Sequence, residues 1–600
     1  HIVAGRFDAY LERFAAQVKA LNKPVYIRLA HEPDNPAYPW SPAGGNSPED
    51  FKDGWRYVHD FFNSRRVYNV IWVWNPWKPD SAERYFPGMA YVDWIGMTGL
   101  NYGALNRDGR PWSFRELYEP FHRKYIYRSG LPVMVAEGGS IRPEGRQQQW
   151  LEEAGKDIAG EFREIKAFVL FNAGNDRNVP ANSAGVASID WRLNEPGGFF
   201  HVMRKLDAAK AEPVKSLRYV RTPAGRERQG LQWMDTIRGV NYQKGANWFR
   251  NLHMLTRKEV AADFAQMRRM GINTVRRYGP GVYDRNIFNA AEKTGMKIHY
   301  GFRLPSVTDA IAGGEQLADQ AEKILAYVKQ LKDHEEISAW YITNTAFPML
   351  SLHFHKPDYL YQQKAYTAWL KRLVADIRME DPSRPVTIDL EAGADMMELT
   401  QYLHDEIPQA AAFGLAPRDA NSLVKIAAVP VPHFISAVSV PDYEKIKKDG
   451  GGVFITSWQD QGSAGDLSFD GLLDHEGRYK PGFYLLQQLW GQAVKPEKLP
   501  VVNILRPAET ARESSRLVYR AVVLQGENWK LAAGVKLPLR YEWHLVRTDR
   551  KGEAVMMKRL GEGPEIELDV PFNPSAYRLY LTAAQGHSVA TATVTLNTPL

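Results

Sequence analysis

Apolar residues recur every three to four positions across 7–21, and a short, nearly unbroken apolar run follows at 24–30. This exchange of a helical period for a strand-like run repeats through the first two hundred residues. The pattern predicts helices at Phe7–Leu21, Ser113–Arg128 and Gln147–Ile165. It predicts strands at Pro24–Ala30, Val70–Trp74, Val92–Gly96, Pro132–Ala136 and Ala167–Phe171. Strands that alternate with helices argue an α/β fold with a parallel sheet and helices outside it. A TIM-type (β/α)8 barrel needs eight strands, so this segment reads as strands four to eight, with the first three units expected upstream of residue 1.

Residues 208–235 are rich in Lys, Arg, Ala and Pro, lack an apolar period, and read as a linker. A second β/α series then predicts strands at Thr236–Tyr242, Asn273–Tyr278, Lys297–Phe302, Ile337–Thr343, Pro385–Leu390, Ala410–Leu415, Phe434–Val438 and Val453–Trp458, with helices such as Arg257–Met270 between them. Eight strands make a complete second barrel over 236–495. Past Pro500 the period changes to short alternating strands, at Arg516–Val523, Arg540–Arg547, Glu565–Val570, Tyr577–Ala583 and Ala590–Leu596, set apart by turn-forming residues. These predict a C-terminal β-sandwich over 500–600.

Length agrees with this division, because 600 residues exceed a single core. No run reaches the roughly 20 apolar residues that span a bilayer, and the net charge of +7 is spread along the chain. A solvated basic surface explains that charge better than a nucleic-acid or membrane-surface partner. With no cysteine there is no disulfide framework and no thiolate nucleophile, and no helical HExxH suggests zinc, so no metal or cofactor is expected. Aromatic residues make up 12% of the chain, which suits sugar stacking and large cores equally well. The chain opens at His1 with no readable leader, and its start is expected upstream.

Reactive groups of a parallel barrel gather where its strands end. Glu32 closes a strand in RLAHEPDN and Glu137 closes another in PVMVAEGGS, the fourth and seventh by the count above. A single strand-end Glu is well explained by an ion pair with a neighbouring Arg. Two across one mouth suit retaining glycoside hydrolysis, in which carboxyl groups roughly 5–5.5 Å apart attack the anomeric carbon and protonate the leaving oxygen.

The motifs GRFDAYLERFAAQVKALNKPVYIRLAHE, NVIWVWNPW, YFPGMAYVDWIGMTGLNYG, LPVMVAEGGS and IKAFVLFNAGNDRN leading into IDWRL occur in that order. Through them residues 1–205 resemble glycoside hydrolase family 26, the β-mannanase family. The resemblance implies Glu32 as acid/base and Glu137 as nucleophile, Arg28 and His31 lining the adjacent subsite, and Tyr102 hydrogen-bonded to the nucleophile. Tyr38, Trp40, Trp74 and Trp77 follow strand ends and are expected as sugar platforms, with packing under a loop as the competing role. Two departures stand out: Asp34 occupies a position commonly Asn in the family, and Leu100 or Asn101 occupies one commonly Asp. The family also includes enzymes acting on mixed-linkage β-glucan and β-xylan.

The runs TIRGVNYQKG, DFAQMRRMGINTVRRYG, GGVFITSWQDQG and DGLLDHEGRYKPGFYLLQQLW make residues 236–492 similar to the catalytic barrel of family 2 glycoside hydrolases. There the fourth strand ends in Asn-Glu and the seventh in a nucleophilic Glu. Here Thr345 follows Asn344, and Ala437 or Val438 ends the seventh strand. A catalytically inactive barrel is the expectation, with Asp389, Glu391 and Asp460 as structural ion-pair partners and Tyr278, Trp340 and Trp458 as possible contacts to a glycan. The terminal sandwich resembles immunoglobulin- or fibronectin-like modules.

Together these readings lead to a retaining hydrolase of a β-linked polysaccharide, with β-1,4-mannan as the first substrate and endo action, outside the cell or in a periplasm. The alternative is a non-catalytic glycan-binding or scaffolding component of a polysaccharide synthesis or export system.

Overall fold

A computed structural model describes residues 1–142, 146–180, 185–193, 232–245, 255–304, 306–391, 396–417, 420–446, 451–463, 466–491, 499–507, 516–548, 554–569, 571 and 573–596. The linker expected at 208–235 lies almost wholly outside them. The chain divides into two compact units, one formed by 1–221 with 348–365 and the other by 222–347 with 366–600.

The first unit is built on five parallel strands in sequence order: β1 (Val25–Ile27), β2 (Val70–Trp74), β3 (Trp94–Asn101), β4 (Val133–Ser140) and β5 (Ile165–Leu170). Each lies at one of the predicted runs. Helices Asp8–Leu21, Pro48–Ser64, Phe114–His122 and Gln147–Gly160 accompany the strands. Two of them start at serine caps: the Ser47 and Ser113 hydroxyls each accept from an N3 amide, while the N3 carboxylate, Asp50 or Glu116, accepts from the serine's own amide. Strand alternation sorts the side chains. Val70, Trp72, Trp74, Ile95, Met97, Val133 and Val135 join the helices in one apolar cluster, while Ile71, Val73, Trp94, Met134 and Ala136 form a second cluster on the opposite face. Leu360, from the 348–365 segment of this unit, packs on that second face. Lys356 extends its ammonium to the Asp93 carboxylate at 3.2 Å, and its carbonyl accepts from the Trp94 indole at 2.6 Å.

β4 carries one residue more than β3 over their paired stretch, and one more than β5 past Val135, where β5 has already inserted a residue of its own between Ile165 and Ala167. Met97 pairs with Val135, but Thr98 pairs with Glu137; on the other side Val135 pairs with Phe168 and Gly138 with Leu170. The surplus is a bulge at Ala136–Glu137. Simple alternation turns Val133 and Val135 toward the helices and Met134 and Ala136 to the other face, so Glu137 would return to the helix side. The bulge instead brings Glu137 level with Thr98.

The second unit contains a closed parallel barrel of eight strands: β6 (Arg238–Asn241), β7 (Thr274–Gly279), β8 (Lys297–Arg303), β9 (Ile337–Asn344), β10 (Val386–Glu391), β11 (Ala412–Ala416), β12 (His433–Val438) and β13 (Val453–Ile455). All eight predicted runs contribute. Short pairs follow, β14 (Ser457–Gln459) with β17 (Gly471–Leu473) and β15 (Gln461–Ser463) with β16 (Asp466–Ser468).

Two antiparallel four-stranded sheets complete the unit. One holds β18 (Val502–Leu505), β19 (Arg516–Gln525), β20 (Asn528–Leu531) and β23 (Glu565–Asp569). The other holds β21 (Arg540–Thr548), β22 (Ala554–Glu562), β24 (Tyr577–Gln585) and β25 (Ser588–Thr595). Val502, Ile504, Ala521 and Val523 from the first share one apolar cluster with Trp543, Leu579, Leu581 and Ala590 from the second. A buried polar knot joins these sheets to the barrel. Lys480 donates to both oxygens of Asp460 at 2.9 and 2.8 Å, Tyr580 on β24 donates to Asp460 at 2.9 Å, and the Gly471 amide adds a further bond at 2.8 Å.

Candidate functional site

Arg28, His31 and Glu32 follow β1 directly, on backbone that leaves the ladder. Ala30 and Glu32 have φ of +40° and +52°, in the left-handed region that side chains disfavour. Such residues cost roughly 1–3 kcal/mol each and persist where their surroundings hold them. The Glu32 amide donates to the Asn75 carbonyl at 2.7 Å, which ties the end of β1 to the end of β2. Its side chain is buried, with Thr98 of β3 donating to Oε1 at 2.5 Å and Asn35 donating to Oε2 at 2.7 Å.

Glu137 reaches the same side of the sheet through the bulge. Arg28 donates to its Oε1 through Nη2 and to Asn75 Oδ1 through Nη1 at 3.2 Å, so one guanidinium links a carboxylate on β4 to an amide following β2. Arg28, rather than the expected Tyr102, makes the hydrogen bond to Glu137.

Burial raises the Glu32 pKa above the usual carboxylate value. The bonds from Thr98 and Asn35 oppose that rise, and the Glu137 charge adds to it. Glu32 is therefore placed to hold a proton. His31 moves the other way, depressed by burial and by Arg28. Tyr102 is pushed up to about 12 by burial and by the charges of Asp176, Glu32 and Glu137.

The aromatic residues divide. Tyr38 and Trp40 stack in parallel with ring centres 4.7 Å apart, His31 shares a 3.0 Å hydrogen bond with the Tyr38 hydroxyl, and the Trp40 indole donates to the His31 carbonyl at 2.8 Å. Tyr102 stands edge-on to Trp191 at 5.0 Å, and the Trp191 indole donates to Asp176 at 3.0 Å. Trp77 is partly exposed, with the Lys78 ammonium 4.2 Å from its ring centre. Trp74 departs from expectation. It is fully buried in the helix-side cluster, edge-on to Phe86 at 5.1 Å, because it shares the strand phase of Val70 and Trp72. It offers no face to a sugar.

Both family departures have local explanations. Asp34 accepts from the Trp77 and Lys78 amides at 2.7 and 2.9 Å and from the Ser81 hydroxyl, so it anchors the loop that carries Trp77. Leu100 packs in the apolar cluster around Trp191. Asn101, beside it, is buried and accepts from the Gly103, Asn106 and Trp112 donors, which fixes the turn bearing Tyr102.

Asn35, Asn75 and Thr98 were not singled out from sequence. Thr98 was accessible in principle, because counting inward positions from Trp94 gives 96 and 98. Gly138, next to Glu137, passes over the Phe168 ring so closely that an added Cβ would lie 2.3 Å from it. Gly138→Ala is expected to cost about 1–3 kcal/mol of stability and to displace Glu137, visible as a lower melting temperature.

In the second unit Asn344 ends β9 with Thr345 after it, and Ala437–Val438 end β12. Asp389 is buried and paired with Arg276, whose guanidinium lies 4.0 Å from the Tyr341 ring centre. Asp460 is held by Lys480, and the Glu391 side chain lies outside the described residues. Trp340 and Trp458 are buried in the core, not displayed as glycan contacts. Tyr278 accepts from Thr343 at 2.8 Å and remains partly exposed. Among the described residues no group of three His, Asp or Glu is arranged for a metal ion, and no helix is long and apolar enough to cross a membrane.

Residues 3–116 match the model of glycosyl hydrolase family 26. Endoglucanase H of Acetivibrio thermocellus is 26% identical over 246 residues, covering 39% of this chain and 26% of that protein. A beta-1,3-xylanase of an Alcaligenes species is 27% identical over 104 residues, covering 16% of this chain and 21% of that protein. The chain thus spans about a quarter or less of the length of these relatives. Solved structures similar to it include a Bacteroides uniformis beta-glucuronidase, at 15% identity and a TM-score of 0.34, covering 60% of this chain and 45% of that one. That likeness is too slight to carry a functional argument.

Proposed function

Proceeding from the match of residues 3–116 to glycosyl hydrolase family 26, we propose that this protein is a retaining glycoside hydrolase that cleaves a β-linked polysaccharide by double displacement. The observation that carries the reading is the differentiated carboxyl pair. Glu32 is buried with a raised pKa, while Glu137 is bound to Arg28 and level with the residue that holds Glu32.

In the first step Glu137 attacks the anomeric carbon as the glycosidic C–O bond breaks, and the departing oxygen takes the proton of Glu32. A glycosyl ester on Glu137 results. Glu32, now a carboxylate, then removes a proton from water as that water attacks the anomeric carbon and releases Glu137. Arg28 keeps Glu137 oriented and compensates its charge. Tyr38, Trp40, Trp77, His31 and Tyr102 are the proposed sugar contacts. Endo cleavage of β-1,4-mannan is the first substrate reading. The names of the relatives add a glucan and a β-1,3-xylan for comparison, and action outside the cell or in a periplasm is part of this reading, since the substrate is a polymer. The second barrel serves as an inactive glycan-binding or spacing domain, and the two C-terminal sheets as an immunoglobulin- or fibronectin-like sandwich with a spacing or docking role.

The test is reducing-sugar release by the full-length protein from β-mannan, mixed-linkage β-glucan, β-1,4-xylan and β-1,3-xylan, beside Glu137→Ala. Release from one polymer that falls by at least about 10³-fold in the variant supports the reading. No release, with retained binding, would replace it with the glycan-binding component of a synthesis or export system.

A further inference from the structure

We infer that Thr98 and Asn35 are positioning residues for Glu32, and that together they make Oε1 the oxygen carrying its transferable proton. The inference rests on the acid/base reading of Glu32 and specifies the chemistry of that group.

Asn35 Nδ2 donates to Glu32 Oε2 at 2.7 Å. The amide orientation is set independently, because the Ala37 amide donates to Asn35 Oδ1 at 3.0 Å, leaving Nδ2 toward Glu32. An amide N–H can only donate, and the carbonyl oxygen of a carboxyl group is a better acceptor than its hydroxyl oxygen. Asn35 therefore holds Oε2 in the carbonyl role, and the proton resides on Oε1.

Thr98 faces Oε1 at 2.5 Å with a hydroxyl that both donates and accepts. It donates to the carboxylate, turns to accept from the carboxyl, and gives up that bond when a glycosidic oxygen arrives to take the proton. Thr98 is also the register partner of Glu137 on the adjacent strand, and neighbouring strands lie roughly 4.7–4.9 Å apart. The protonated oxygen of Glu32 is thus tethered beside the strand position from which Glu137 projects, and the proton and the nucleophile approach the same bond. Both donors also stabilise the ionised form, so together they limit how far burial raises the pKa.

The decisive measurement is a 13C titration of the Glu32 carboxyl, assigned with Glu32→Gln, in the full-length protein and in Thr98→Val, Thr98→Ser and Asn35→Ala. It needs no turnover. Thr98→Val and Asn35→Ala are each expected to raise the midpoint by about half to one pH unit, and Thr98→Ser to restore it. The alkaline limb of kcat/KM should move with the midpoint, since the acid must be protonated to act. Circular dichroism identifies a variant that has not folded, in which case the other variant decides. Midpoints unchanged in folded Thr98→Val or Asn35→Ala overturn the inference. Failure of the hydrolase reading appears separately, as release that survives Glu137→Ala or is absent from the unsubstituted protein.

Discussion

Glu32→Ala should lose roughly 10²–10⁴-fold in hydrolysis of the polysaccharide and far less in the first turnover of an aryl glycoside with a strongly acidic phenol as leaving group. The difference follows from the task assigned to Glu32. A sugar alkoxide leaves only if protonated, whereas an acidic phenolate leaves without help, so formation of the glycosyl ester on Glu137 should continue in the variant. Its breakdown should then slow, because no base activates water, and a burst of phenol should precede a slow steady state. Azide, which needs no deprotonation, should accelerate that steady state and divert product to a glycosyl azide. An equal loss on both substrates, with no burst and no azide effect, would mean that Glu32 orients the site without transferring a proton. The raised pKa of Glu32 and its distinct environment from Glu137 motivate the expectation.

Lys480→Met should be the most damaging of these substitutions for stability, at about 3–5 kcal/mol near pH 8. Asp460 is almost fully buried, and Lys480 bonds to both of its oxygens. Removing the ammonium strands a carboxylate in a site from which water is excluded. The pH dependence has a definite sign. Burial already raises the Asp460 pKa to about 6, so the folded chain binds this proton more tightly than the unfolded chain. Stability from that proton is fully present below the unfolded value of 3.8 and is lost as pH rises through about 6. The cost of Lys480→Met should accordingly shrink between pH 8 and pH 5. Urea denaturation at the two pH values, followed through the transition that exposes Trp543 of the C-terminal sheets, measures it. An equal penalty at both would show that lost packing of the lysine stem, not an unpaired charge, is responsible.

The parallel strands were legible because buried strands are apolar on both faces, as in Val70–Trp74, and such runs stand out against amphipathic helices. Strands β18, β20 and β22 were missed in the C-terminal region. Every residue of Asn528–Leu531 is exposed, and Ala554–Glu562, in AVMMKRLGE, lacks the alternation that marks a half-buried strand. The carboxylates were found because they end apolar runs. The tryptophans were harder, because residue type says nothing about the face it occupies; Trp74, Trp340 and Trp458 proved to be core. Asn35 lies only three residues from Glu32, whereas Thr98 and Asn75 escaped because they meet Glu32 and Arg28 across 66 and 47 positions of sequence. No local pattern records such meetings.

The bulge in β4 has a consequence for anyone redesigning this sheet. Idealised strands are the safer starting point in most design work, and a one-residue surplus invites correction. Sliding Glu137 into regular alternation, with the sequence unchanged, would aim it at the aromatic packing around Phe168 and leave Arg28 without its anion. Deleting Ala136 straightens the same strand while Glu137 follows Val135 directly and stays level with Thr98. Two edits that look equivalent on a topology diagram thus have opposite outcomes, and the tolerated one is the shorter chain.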